Sequence, residues 1–248
     1  MNKLYQKSEI WFSVVWIVVY VVGASLMDML SDKIGVPKSL TFIFLAILSA
    51  VLLVWIAKNK LWEKYGLCKT DINLKNFLFF IPLVAISSVN FWFGVSVNGS
   101  ILEGFAFILA MICVGFVEEI IFRGLLFKAM AKENLKVAII VGSLTFGVGH
   151  IVNLISSGGE NLVANICQVI YATAVGFLFI IMFYRGKTLI PCIVAHSFVN
   201  ATSFFMSEVA NGLTQQIISC AVMVVIAVGY ALVLMKTLPK VETEEIKS

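Results

Sequence analysis

Charge is scarce in this sequence. Asp, Glu, Lys and Arg make up 13% of its 248 residues, where a soluble domain usually carries about 25%. Arginine occurs only as Arg123 and Arg185, and histidine only as His150 and His196. With a mean hydropathy of +1.01, the chain is too apolar to be a soluble domain. Internal repeats and low-complexity segments are lacking as well, and so is the metalloprotease signature H-E-x-x-H. The five cysteines show no paired spacing: Cys113, Cys167, Cys192 and Cys220 lie in apolar runs and Cys68 in a basic loop. That excludes a disulfide framework and a thiolate zinc site.

What is present is a series of apolar runs, each long enough to cross a bilayer, for which about 20 residues suffice. They read as helices near Ile10 to Met27, Ser39 to Ala57, Asn76 to Val95 and Ile101 to Phe127. Four more follow near Val137 to Ile155, Leu162 to Phe183, Leu189 to Met206 and Ile217 to Met235. The first run is too long and too poor in a cleavage site for a signal peptide. The expectation is an all-α polytopic membrane protein, with about eight transmembrane helices in a single bundle. It forms one integral-membrane domain over 1–235, followed by a disordered tail over 236–248.

The basic residues are placed unevenly. With the N-terminus inside, Lys33 and Lys38 are the only ones in outer segments, Arg123 lies within a span, and all others fall on the inner side. By the positive-inside rule both termini are cytoplasmic. The same asymmetry explains the net charge of +4 without nucleic acid as a partner. The loop from Lys58 to Lys75, with Trp62 and Tyr65, is expected to lie against the inner headgroups.

The fourth span holds the anomaly: Glu118, Glu119 and Arg123 stand within an otherwise apolar run. Each charge near a bilayer centre costs about 2.5–3.5 kcal/mol, so such groups face protein or water and serve a function. Residues four apart share a helix face, which pairs Glu119 with Arg123 and His196 with Asn200. Glu118 is turned about 100° away and is left free as a general base. At about 1.5 Å per residue, Glu118, His150, His196 and Asn200 lie roughly 10–20 Å from the inner helix ends. They are near the midplane or in the inner half of the membrane and are expected to converge on one wet cavity. A water shared by Glu118 and His150 would attack a carbonyl, with His196 and Asn200 meeting the oxyanion.

E-E-I-I-F-R (Glu118 to Arg123), F-G-V-G-H (Phe146 to His150) and H-S-F-V-N (His196 to Asn200) occur in this order, each on a membrane helix. Together they resemble the three motifs of the CAAX protease and bacteriocin-processing family, also called type II CAAX endopeptidases or Abi. The resemblance covers roughly Ile101 to Phe205, the expected catalytic core. It implies an intramembrane endopeptidase in which Glu118 and His150 activate water and His196 and Asn200 form the oxyanion hole. Glu119, Arg123 and Phe146 would support the site or position the substrate. The family has been described as glutamate-dependent and as metal-dependent. No cofactor is expected here; a divalent metal such as zinc, if used, would be held by Glu118, His150 and His196.

Blander readings apply to several of these residues. Glu119 and Arg123 also suit a structural bridge, and Gly147 and Gly149 suit close helix contact or space for a substrate strand. Asn153, Asn161 and Asn165 read as loop or packing residues. The competing classes are a proton-coupled transporter and an idle immunity or scaffold protein; the missing repeats speak against the first and the intact polar set against the second. The expected partners are the lipid bilayer and a peptide or protein substrate entering from the membrane or the cytoplasm. Lysine far outnumbers arginine, which suggests a bacterial cytoplasmic membrane and a small peptide precursor (a bacteriocin or pheromone) or self-immunity as the setting.

Overall fold

The computed structural model describes residues 1–156 and 162–241. Six of its helices are long and apolar enough to cross a membrane, and two more are apolar but shorter. In chain order they are α1 (Glu9–Lys33), α2 (Ser39–Lys58), the short α3 (Leu74–Ser87), α4 (Ile101–Ala131), α5 (Leu135–Gly149), α6 (Leu162–Gly186), the short α7 (Ile190–Thr202) and α8 (Leu213–Thr237). Apart from one antiparallel bridge between Val95 and Met206, the regular structure among the described residues is helical. The all-α expectation therefore holds, as does integration in a membrane. Of the tail, Lys236 and Thr237 extend α8, while 242–248 lie outside the described residues, as does Asn161.

Local chemistry starts and stops these helices. Ser8 accepts from the backbone N–H of Trp11 at the head of α1, and Asn134 accepts from Val137 at the head of α5. Ser100 and Glu103 form a reciprocal capping box on α4, which satisfies two donors that the first turn leaves orphaned. Pro191 sits in the first turn of α7, where its missing N–H does no harm. The weak helix is α3. Leu78, Phe79 and Phe80 adopt left-handed φ values of 49°, 50° and 59°, unfavourable for bulky residues. Carbonyls freed near this break are met from α8: Tyr230 donates to Phe77 O and Thr237 to Asn76 O, each at 2.6 Å. Non-helical backbone at membrane depth needs such partners.

Apolar residues on α1 and α2 remain exposed in stripes: Val15, Val18, Val22, Leu26 and Met29 on the first, Ile43, Ile47 and Val54 on the second. Spacings of three, four and seven mark one face of each helix, and a lipid environment accounts for them. The buried core runs as one cluster from Phe12 to Leu238. Helices α4 and α6 supply its centre, with Ile120, Ile121, Leu178 and Ile180 fully buried.

The two ends of the bundle differ. One end gathers the start of α1 and the ends of α2, α4, α6 and α8. There Lys64 and Lys132 both reach Glu9 (2.9 and 3.0 Å), and Arg185 donates to the carbonyls of Leu238 and Pro239. This is the basic end. At the opposite end Lys38 pairs with Asp28 (2.7 Å), and Asn98 donates to the carbonyls of Phe204 and Met206 (2.9 Å each).

Candidate active site

The site begins with a change of helix geometry. α4 is α-helical through Glu118, then widens to i→i+5 hydrogen bonding over Glu119–Phe127. π-helical turns of this kind frequently occur at functional sites. Every residue from Glu119 to Phe127 is buried, and so is Glu118, so the two carboxylates enter the protein interior from adjacent positions. Glycines let the neighbouring helices approach. A Cβ on Gly115 would lie 2.4 Å from Ser197 Oγ, and one on Gly147 only 1.9 Å from Thr173 Oγ1. α4 is thereby held tightly against α7, and α5 against α6. Gly149 has open space around it instead and lines a cavity. The two readings of this glycine pair thus divide between its members.

Glu119 and Arg123 are fully buried and paired, Oε1 to Nη1, at 3.0 Å. The contact is near enough for an ion pair but poorly aligned for hydrogen bonding, and none of the Arg123 nitrogens has an aligned protein acceptor among the described residues. The guanidinium instead lies over the ring of Phe146, 3.8 Å from its centroid, a favourable cation–π placement. His150 and His196 stand edge-on to the same ring, at 5.4 and 5.7 Å between centroids. Phe146 is therefore the hub that spaces the three motifs.

His196 carries a link that helix spacing did not indicate. Its Nδ1 is 2.8 Å from Glu119 Oε1, and its Nε2 is 3.5 Å from Glu118 Oε2. One imidazole thus lies between the two carboxylates. Tyr20, on α1, donates its hydroxyl to Glu118 Oε1. Oε2 has no aligned hydrogen-bond partner among the described residues.

Glu118, His150 and Asn200 line a cavity of about 370 Å³. A smaller one of about 70 Å³ shares His150 and Asn200 with it and adds His196. Among the described residues no hydrogen bond joins Glu118 to His150, and the Asn200 amide has no side-chain partner. Both histidines, Glu118 and Asn200 are thus brought together as expected. Glu119 and Arg123 are fully buried and line neither cavity.

Three features lay beyond the sequence reading. The cavity extends from Glu118 toward the end of the bundle opposite the basic one, through Ser25, Asp28 and Lys38; it reaches beyond the depth expected for it. Tyr20 was missed because it sits in an apolar span outside the motifs, although its mid-span position was a usable signal. Asn153, read as a loop or packing residue, stands in the cavity wall and donates to Gln168 at 3.0 Å. Asn165 is buried on α6, as a packing residue would be.

The set proposed for a metal can be tested on its donors. Both nitrogens of His196 face carboxylates, and among the described residues no three His, Cys, Asp or Glu side chains are grouped to hold an ion. Glu118, His150 and His196 are thus not drawn together as a three-ligand set among the described residues.

Comparison with known proteins gives one family. Residues 100–202 match the model of the type II CAAX prenyl endopeptidase Rce1-like family. The match spans α4 to α7 and leaves out α1, α2, α3 and α8. Searches of curated proteins and of solved structures give no match.

Proposed function

Through residues 100–202 the chain belongs to the CAAX protease family, and on that premise we propose that it is a glutamate-dependent intramembrane endopeptidase. One observation carries the reading. Glu118 lines, beside His150 and Asn200, a cavity able to hold water, with one carboxylate oxygen held by Tyr20 and the other buried 3.5 Å from His196 Nε2. A general base needs a carboxylate oxygen within reach of a water.

The steps follow from these positions. A water between Glu118 and His150 gives a proton to Glu118 as its oxygen bonds the scissile carbonyl carbon. Negative charge develops on the carbonyl oxygen, where the Asn200 amide and the Nε2–H of a doubly protonated His196 meet it. Preorganised donors of this kind are worth about 2.7–4 kcal/mol each. Glu119 accepts from Nδ1 and keeps the ring oriented, while Arg123 and Phe146 hold Glu119 in place. The tetrahedral species collapses, the C–N bond breaks, and Glu118 returns its proton to the leaving amine. No metal takes part in this scheme.

The finer architecture belongs to the same proposal. The short helices α3 and α7 complete eight crossings, as one domain over 1–235, with both termini in the cytoplasm of a bacterium. The lysine asymmetry supports that orientation. The substrate is a small peptide precursor, such as a bacteriocin or pheromone, or a target in self-immunity. The family match does not favour an idle scaffold or a proton-coupled transporter.

The test is cleavage of a quenched peptide library by the purified protein. Turnover that disappears in Glu118→Ala and in His150→Ala supports the proposal; turnover unchanged in both contradicts it.

A further inference from the structure

The cavity at Glu118 has a closed end and an open end. Toward the basic end its lining ends in Phe122 and Phe146, and beyond them Tyr65, Phe127, Phe183 and Leu189 form a plug of side chains buried almost completely. The loop after α2 is clamped over this plug. Leu189 N–H donates to Gly66 O at 2.8 Å and Thr188 Oγ1 to Cys68 O at 2.7 Å, and a Cβ on Gly66 would strike Phe183 at 2.5 Å.

Toward the other end the wall is polar. Ser25, Asn153, Gln168 and Ser203 line it, and the Asp28–Lys38 ion pair stands at its outer part. Each lies toward the end of the bundle away from the basic one. Amides and hydroxyls at these depths suit an extended backbone, which brings an N–H and a C=O per residue that must be paired. Among the described residues Lys33 and Lys38 are the only lysines at this end of the bundle, so the positive-inside rule puts it outside the cytoplasm.

We propose that the substrate enters from the extracytoplasmic side, and that it is a polypeptide segment already translocated across the membrane. The entry side follows from the plugged floor, the polar mouth and the lysine asymmetry. That the entrant is a peptide rests on the endopeptidase reading above.

The test is thiol labelling of the full chain in intact cells with a membrane-impermeant maleimide. Three single-cysteine variants are compared, the other native cysteines being replaced by alanine: Ser25→Cys in the cavity, Asp32→Cys at the opposite end, and native Cys68 in the basic loop. Labelling requires the thiolate. Burial, then the nearby Glu63 and Asp71, raise the pKa of the Cys68 thiol, so the reaction is run at mildly alkaline pH. The expected result is labelling of Ser25→Cys and Asp32→Cys in intact cells, with Cys68 labelled only after permeabilisation. Labelling of Cys68 in intact cells reverses the orientation and overturns the proposal. So does an Asp32→Cys that labels while Ser25→Cys stays unlabelled in both conditions. None of these outcomes depends on turnover, so a failure here is distinct from a failure of the peptidase assay.

Discussion

Glu119 and His196 meet across 77 residues of sequence, with Oε1 2.8 Å from Nδ1. This contact makes Glu119 a positioning residue for the histidine as well as the counter-ion of Arg123. It also fixes which ring nitrogen is left toward Glu118. The second glutamate of the motif is therefore tied to the third motif, and not merely to the arginine one turn on.

Loss of Arg123 should destabilise the protein. Arg123→Ala leaves Glu119 buried without its counter-ion, which typically costs about 3–5 kcal/mol. Arg123→Lys is expected to recover little, because an ammonium does not reproduce a planar guanidinium stacked on Phe146. Thermal unfolding in detergent reads both; a midpoint unchanged in Arg123→Ala would contradict the assignment.

Tyr20→Phe keeps the ring and removes the hydroxyl that Glu118 accepts. Hydrogen bonds to charged groups contribute about 1.5–3 kcal/mol, so kcat should fall roughly 10- to 100-fold while KM changes little. An unchanged kcat would show that the hydroxyl does not orient the base.

The two glycines of F-G-V-G-H should separate. Gly147→Ala places a Cβ 2.7 Å from Val169 O, a backbone atom that cannot move aside, and overpacking of this sort costs about 1–3 kcal/mol. Gly149→Ala meets nothing within 4 Å and should fold normally. Comparing their unfolding midpoints checks the division; equal losses would contradict it.

Activity should survive exhaustive treatment with strong chelators. The proposed scheme uses no metal, and among the described residues no three His, Cys, Asp or Glu side chains are grouped to hold one. Loss of turnover restored by added zinc would overturn the glutamate-dependent reading.

Much of the site was legible because charge is so rare in this chain. Both histidines, Glu118 and Asn200 stand out from apolar surroundings, and the three motifs that hold them do converge. The link from Glu119 to His196 was not legible, because spacing along one helix says nothing about a partner on another. The π-helical turn from Glu119 carries no compositional signal. The cavity's position was misjudged for a geometric reason. A run ending at Phe127 sets Glu118 too near the inner end, whereas α4 continues to Ala131, which puts Glu118 about 20 Å from that end. The plug formed by Tyr65, Phe127 and Phe183 joins residues from separate elements, and only the folded chain shows it. Eight apolar runs were legible in order, yet α3 and α7 are shorter than their runs. Left-handed residues break the first, and a 3₁₀ turn over Ser203–Phe205 ends the second.

The central claim is that Glu118 and His150 act together on one water. The most direct measurement is peptide turnover in Glu118→Gln, His150→Ala and the double variant, side by side in proteoliposomes. Residues that act as a unit are strongly non-additive. Each single variant should lose about 10²- to 10⁴-fold, and the double variant should lose little more than the worse single one. Losses that multiply in the double variant, or a single variant that keeps full turnover, would contradict the account.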